Sequence, residues 1–229
     1  MGGASNNGVD GVVYALAMNG TNNLFVGGAF TTVAQGSVSA NYVASWDGNG
    51  WSALGQPTNN GVDGIVNALL MNGTSTLYLG GSFVSYGGGA SDAYYVAYWD
   101  GGQFQSLGNS ASTELNGTVY ALALGATDLY VGGAFTGNQL ASMQLNAVAN
   151  WNGQSFSSIG NGFNGTVYSL VYFSPNLYAV GNFTQTGDGV CVPFIASIQV
   201  DYPPPPSSTS RLSISFILTL LFIFPFFFS

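Results

Sequence analysis

The chain has 229 residues, of which only 4% are charged, and its formal net charge is −8. It has no His and one basic side chain, Arg211, which excludes neutralising nucleic-acid phosphates or clamping a nucleotide. Ser-His-Asp and Cys-His catalysis and His-ligated metals fall with them, and the lone Cys191 excludes an internal disulfide framework or a multi-Cys metal site.

The chain opens on residues 1–11, a Gly/Asn-rich connector with neither the cationic start nor the apolar core of a signal peptide. One unit then recurs four times, at 12–58, 65–111, 118–163 and 166–201. Its first element reads Val13-Tyr14-Ala15-Leu16 and returns from Val66, Val119 and Val167, at steps of 53, 53 and 48 residues. The second, Leu24-Phe25-Val26-Gly27-Gly28-Ala29-Phe30, returns from Leu77, Leu129 and Leu177. The third, Tyr42–Gly48, returns at Tyr95–Gly101 and Ala147–Gly153, and the fourth, Trp51–Gly55, at Phe104–Gly108 and Phe156–Gly160.

Each element is short, rich in β-branched and aromatic residues, and bounded by Gly, Asn or Asp, which predicts strands. Asn19-Gly20, Asn72-Gly73, Asp47-Gly48 and Asp100-Gly101 are hairpin-turn pairs, and no stretch has helical periodicity. Four strands per unit of ~50 residues predict an all-β propeller of four-stranded antiparallel blades over a β-solenoid, whose repeats are shorter. Paired glycines suit facing sheets that leave no room for a side chain. The fourth unit departs: Gly181-Asn182 stand for Gly-Gly, Ile198 for the Trp, and no fourth strand precedes Asp201. The propeller is therefore expected to be incomplete. Because residues 1–11 match the connectors between units, the chain is expected to be the C-terminal part of a longer precursor.

Leu129–Phe135, Val43–Gly48, Asn116–Leu122 and the Trp46…Trp51 pair give the chain a family likeness. They resemble kelch-type blades such as those in the central propeller of galactose oxidase. They are more similar still to the ectodomain repeats of fungal cortical marker proteins. The resemblance covers roughly residues 8–200 and implies a propeller at the cell surface with a role in polarity or surface marking.

The connectors and the loops Thr32–Asn41, Val84–Ala93, Thr136–Gln144 and Thr184–Cys191 are expected to share one face, where function sits on a rigid scaffold. Asp10, Asp63, Tyr86, Asp92, Tyr94 and Asp188 are the ligand-binding candidates there, with Glu114 beside them. Carboxylates suit Ca²⁺ or glycoside hydrolysis. Yet their spacing matches no dedicated calcium loop, and repetition alone explains Asp10 and Asp63. No catalytic residue, metal or cofactor is assigned. Asn19, Asn72, Asn116 and Asn164 are candidate glycosylation sites in turns, whereas Asn182 lies in a predicted strand. Cys191 reads as a buried small hydrophobe.

Residues 202–211 form a Pro/Ser-rich stalk, and 212–229 a hydrophobic C-terminal segment. A GPI signal with attachment at Ser207 or Ser208 fits, as does a tail anchor or single membrane helix; a frame-shifted end is the third reading. The expected function is non-enzymatic recognition of a cell-surface protein or glycan. The alternatives are a propeller glycosidase using loop carboxylates and a structural, glycosylated coat protein.

Overall fold

Short strand segments, cut by glycine and Asx turns, pair locally in order along the chain. The computed structural model describes residues 8–200 apart from 21, 90, 109–113 and 141. The stalk at 202–211, Ser207, Ser208 and the segment 212–229 lie outside the described residues.

The first sheet is built from Val12–Met18, Leu24–Ala29, Val43–Trp46 and Trp51–Ala53, side by side and antiparallel. The second uses Val66–Asn72, Thr76–Gly81, Val96–Trp99 and Phe104–Ser106 in the same order. The third uses Val119–Leu124, Leu129–Gly133, Val148–Trp151 and Phe156–Ser158. The fourth sheet has three strands, Val167–Phe173, Asn176–Gly181 and Ile195–Gln199. Among the described residues the all-β expectation therefore holds, with three four-stranded antiparallel sheets, one three-stranded sheet and small two-stranded pairs at 32–39, 55–60 and 85–92.

A ring pair ties the third strand to the fourth where both exist. Trp46 meets Trp51 at 5.4 Å between centroids, Trp99 meets Phe104 at 4.9 Å, and Trp151 meets Phe156 at 4.8 Å. Each pair sits directly opposite in register, where aromatic partners stabilise a ladder. The fourth sheet has Ile198 at the Trp position, opposite Leu177.

The two glycines of the repeat have separate jobs. A Cβ on Gly28, Gly81, Gly133 or Gly181 would overlap the carbonyl oxygen of Val12, Ile65, Thr118 or Thr166. In each sheet that carbonyl lies one residue before a register irregularity of the first strand. This glycine therefore serves its own sheet. The other glycine serves the neighbouring sheet. A Cβ on Gly27 would lie 2.5 Å from Val66 Cγ1, and one on Gly132 2.7 Å from Val167 Cγ1, with Gly80 tighter still against Val119 Cγ1. Val66, Val119 and Val167 are fully buried in these gaps.

This register corrects the reading of the fourth unit. Gly181 pairs with Val167 as Gly133 pairs with Val119, so Gly181 is the second glycine and Val180 replaces the first. Asn182 then corresponds to Ala29, not to a glycine.

Apolar clusters run from each sheet into the next. Phe25 and Val43 join Val66, Leu77 and Phe83; Val96 joins Val119 and Leu129; Ala123 and Val148 join Val167 and Leu177. Phe30, Phe83, Phe135 and Phe183 plug the same end of every sheet and are almost completely buried. At the two ends of the array, one face is uncovered. Leu16 and Met18 are exposed on the first sheet, and Val171 and Phe173 on the fourth.

The third element starts one residue later than its repeat. Tyr42, Tyr95, Ala147 and Phe194 have φ of 64°, 75°, 70° and 67°, and the strand follows them. A positive φ is unfavourable for side chains of this size, so neighbours must hold it in place. They do: the Tyr42 carbonyl accepts from the Gly28 amide at 3.0 Å, and the Tyr42 amide donates to the Phe30 carbonyl at 2.8 Å. The same bond pair recurs in all four sheets.

Candidate functional site

The plugging phenylalanines sit beneath a rim made of connectors and the loops between second and third strands. Those loops are not irregular. Thr32–Val33 pairs with Val38–Ser39 and Ser85–Tyr86 with Ser91–Asp92, while single bridges join Gly137 to Gln144 and Gln185 to Cys191. Each loop is thus a small hairpin standing on the sheet end.

One device fastens every hairpin to its connector. Val9, Val62, Leu115 and Phe163 bridge Val33, Tyr86, Asn138 and Thr186. The next residue, Asp10, Asp63, Asn116 or Asn164, then aims one oxygen at two consecutive loop amides. Asp10 Oδ1 accepts from the Thr31 and Thr32 amides at 2.8 and 2.9 Å, and Asp63 Oδ1 from those of Val84 and Ser85 at 2.8 and 2.9 Å. Asn116 Oδ1 accepts from Thr136 and Gly137, both at 3.0 Å, and Asn164 Oδ1 from Thr184 and Gln185 at 2.9 and 3.0 Å. Asp serves at this position in the first two units and Asn in the last two because the need is for an acceptor, and each bond keeps an amide from being left unpaired.

The Thr32 and Thr31 amides, with the Thr31 hydroxyl, hold the Asp10 carboxyl at about 2. A carboxyl depressed in the fold adds stability above its unfolded value, near ~3.9, and loses it as pH falls through the folded value. Asp10→Asn keeps the acceptor. It is expected to flatten part of the fall in unfolding midpoint between about pH 4 and pH 2. Thermal melts of both proteins across that range check it, and parallel curves would contradict it.

The opposite edge carries a second Asx repeat. Asp47 Oδ1 accepts from the Asn49 and Gly50 amides at 2.8 and 2.7 Å, and Asp100 Oδ1 from Gly102 and Gln103 at 2.9 and 2.8 Å. Asn152 does the same for Gln154 and Ser155, both at 2.9 Å. These bonds lower the carboxyls of Asp47 and Asp100, and they close the hairpins between third and fourth strands.

The remaining candidates separate. Tyr86 is half-buried, its ring 5.8 Å from that of Phe104 and packed on the second sheet's core. Asp92, Tyr94 and Glu114 come together at the rim. Asp92 is exposed, while Glu114 is only 6% exposed. Burial, and then the charge of Asp92, push the Glu114 carboxyl up. The charge of Asp92, followed by burial and by Glu114, pushes the Tyr94 hydroxyl up. Asp188 is exposed on the fourth loop and borders a small recess with Ile159, Gly160 and Ile198. Among the described residues no group of three His, Cys, Asp or Glu is placed to hold a metal ion.

Cys191 is exposed, contrary to the buried position read from the sequence. It sits on the loop hairpin opposite Gln185, where alternate side chains point outward, and its neighbour Val192 takes the inward place.

The sequons differ in accessibility. Asn72 is exposed at a hairpin tip. Asn116 Nδ2 donates to Thr136 Oγ1 and Asn164 Nδ2 to Thr184 Oγ1, both at 3.0 Å, so those amides are committed to the frame. Asn19 Oδ1 accepts from the Asn23 amide at 3.3 Å within its own turn. Asn182 stands just past a strand end, where its Oδ1 accepts from the Thr166 amide at 2.7 Å.

Sequence gives no sign of a cleft of ≈ 290 Å³ at the rim between third and fourth sheets. Ala134, Thr136, Asn146, Asn164 and Thr166 line it above Phe135 and Phe163, presenting amides and hydroxyls over two rings. Residues of two repeats meet here, so only the step between repeats hints at it.

No known family profile matches the chain, and no curated protein matches it. Two of the solved structures similar in shape differ in how much of their own length is matched. One is the extracellular domain of a hybrid two-component system from B. thetaiotaomicron, at 15% identity and a TM-score of 0.49. The match covers 93% of this chain, which spans only 23% of that one. The other is the computationally designed Ika4 protein, at 17% identity and a TM-score of 0.48, covering 87% of this chain and 99% of that one. Among the described residues no helix is long and apolar enough to cross a membrane.

Proposed function

We propose that this chain is a non-enzymatic, kelch-like array of propeller-type blades that recognises a protein or glycan ligand at the cell surface. Polarity or surface marking is the setting that its resemblance to cortical marker repeats implies, with residues 202–229 as stalk and membrane attachment.

The rim cleft supports this reading most. Its neutral polar lining, with the Thr136 and Thr166 hydroxyls in it, suits ligands rich in hydroxyl groups, which exchange hydrogen bonds without charge pairing, while the buried Phe135 and Phe163 hold its floor in shape. The Asx bonds keep the rim loops rigid, so little ordering cost opposes binding.

Ala134 is exposed and lines the cleft, so Ala134→Phe fills it while the sheet stays intact. Against a panel of glycans and surface proteins, wild type is expected to bind at least one member and Ala134→Phe to bind it about tenfold more weakly. Binding that the variant leaves unchanged would move the site away from the cleft. A panel with no bound member would favour the structural coat.

A surface location also implies glycosylation. Peptide mapping of secreted protein is expected to find glycan on Asn72, and to find Asn116 and Asn164 unmodified because their amides are bonded to threonines. Occupancy at Asn116 or Asn164 equal to that at Asn72 would contradict the geometry.

A further inference from the structure

Three interfaces within the array use one contact. A valine at the start of a sheet's first strand enters the gap left by the preceding sheet's glycine, with a leucine three residues on packed beside it. Val66 and Leu69 meet Gly27, Val119 and Leu122 meet Gly80, and Val167 and Leu170 meet Gly132. The first sheet carries the same pair, Val13 and Leu16, followed by Met18 at the position of Met71. Here they are uncovered, at 41%, 59% and 61% exposure. Yet Val66, Val119 and Val167, at the Val13 position, are fully buried.

The other end of the array differs. At the glycine position the fourth sheet has Val180, 39% exposed. A Cβ there occupies the space that an incoming valine takes at the three interfaces, at distances real Cβ atoms do not show. A second copy of the chain therefore has no gap to offer: Gly27, Gly80 and Gly132 are already filled by its own sheets, and Val180 closes the fourth.

We propose that the uncovered face of the first sheet docks a further sheet of the same repeat type, with glycine at the Gly27 position, carried by a repeat-bearing polypeptide other than a second copy of residues 8–200. Val180 bars the same contact at the far end, so the array extends in one direction only. Recognition rests on shape. The partner must offer a gap for Val13, flanked by apolar surface for Leu16 and Met18, and a single methyl group in the gap rejects it.

The test uses the complete array in detergent, with Met18→Cys as reporter and Cys191→Ser to silence the exposed native thiol. A copy of residues 115–162, which contains Gly132, replaces residues 1–8 directly before Val9. This keeps the natural spacing, because Gly162 precedes Phe163 as Gly8 precedes Val9. Maleimide labelling of residue 18 is expected to slow by about tenfold or more, since it must then await opening of the new interface. The same added copy with Gly132→Val is expected to leave labelling as fast as without any addition. Fast labelling with the glycine copy would overturn the docking, and slow labelling with the valine copy would overturn the gap rule. A second variant does not depend on the added sheet folding. Val180→Gly in the original chain is expected to make labelling slower as protein concentration rises, an effect that Leu16→Asp abolishes. Labelling independent of concentration would overturn the role of Val180.

Discussion

Gly80→Val is expected to destabilise the fold by about 3 kcal/mol or more, at the upper end of overpacking costs. The first atom of the new side chain would collide with Val119 Cγ1 and lie 3.6 Å from Leu122 Cγ. Relief requires the second and third sheets to part, which exposes Val96, Leu115 and Val119 from a cluster that both sheets share. Denaturant unfolding measures the loss. Gly50→Ala is the control, since a Cβ at Gly50 meets nothing within 4 Å, and its effect is expected to stay within about 0.5 kcal/mol. Equal costs for the two would mean that the glycine is kept for backbone freedom and not for the neighbouring sheet.

Phe135→Ala should cost about 3–5 kcal/mol, the range for emptying a fully buried aromatic site. Phe135 is 1% exposed and packs in the cluster that joins the second and third sheets. It also floors the rim cleft, and its backbone anchors the left-handed Ala147 through the bond from the Ala147 amide to its carbonyl at 2.8 Å. The loss of the ring is therefore expected to weaken ligand binding at the cleft as well as global stability. Unfolding curves and panel binding at a temperature where the variant remains folded measure the two separately. A loss below about 1 kcal/mol would mean that the site collapses freely and that the plug is not a fixed part of the frame.

Much of the strand architecture is legible in the sequence because its signals are local. Val13-Tyr14-Ala15-Leu16 and its copies are short runs rich in β-branched and aromatic residues, several of the turns carry Asn-Gly or Asp-Gly, and the steps of 53, 53 and 48 residues set which strand is which. Features that depend on two distant segments are not legible in the same way. The bonds of Asp10 and Asp63 reach loops about twenty residues away, so in sequence they look like available carboxylates. A signal was present all the same: Asn116 and Asn164 occupy the equivalent position, and Asp exchanged for Asn marks an acceptor in place of a charge. Val180 escapes for a related reason. Matching Gly181 to the first available glycine shifts the pattern by one, whereas counting from Leu177 to Phe183 places Val180 there, as the pairing of Val167 with Gly181 does. The left-handed Tyr42, Tyr95 and Phe194 carry no warning at all, because aromatic residues ordinarily continue a strand.

At each interface between sheets a valine of one sheet fills a glycine gap in the sheet before it. The most direct measurement is a double-mutant cycle on Gly80→Ala and Val119→Ala, read by denaturant unfolding. Gly80→Ala alone is expected to be costly, and with Val119 shortened to alanine its cost should fall by at least about 1 kcal/mol, because the added methyl group then enters vacated space. Costs that simply add, within about 0.3–0.5 kcal/mol, would show that the two residues do not share the interface and would contradict the stacking described for every sheet.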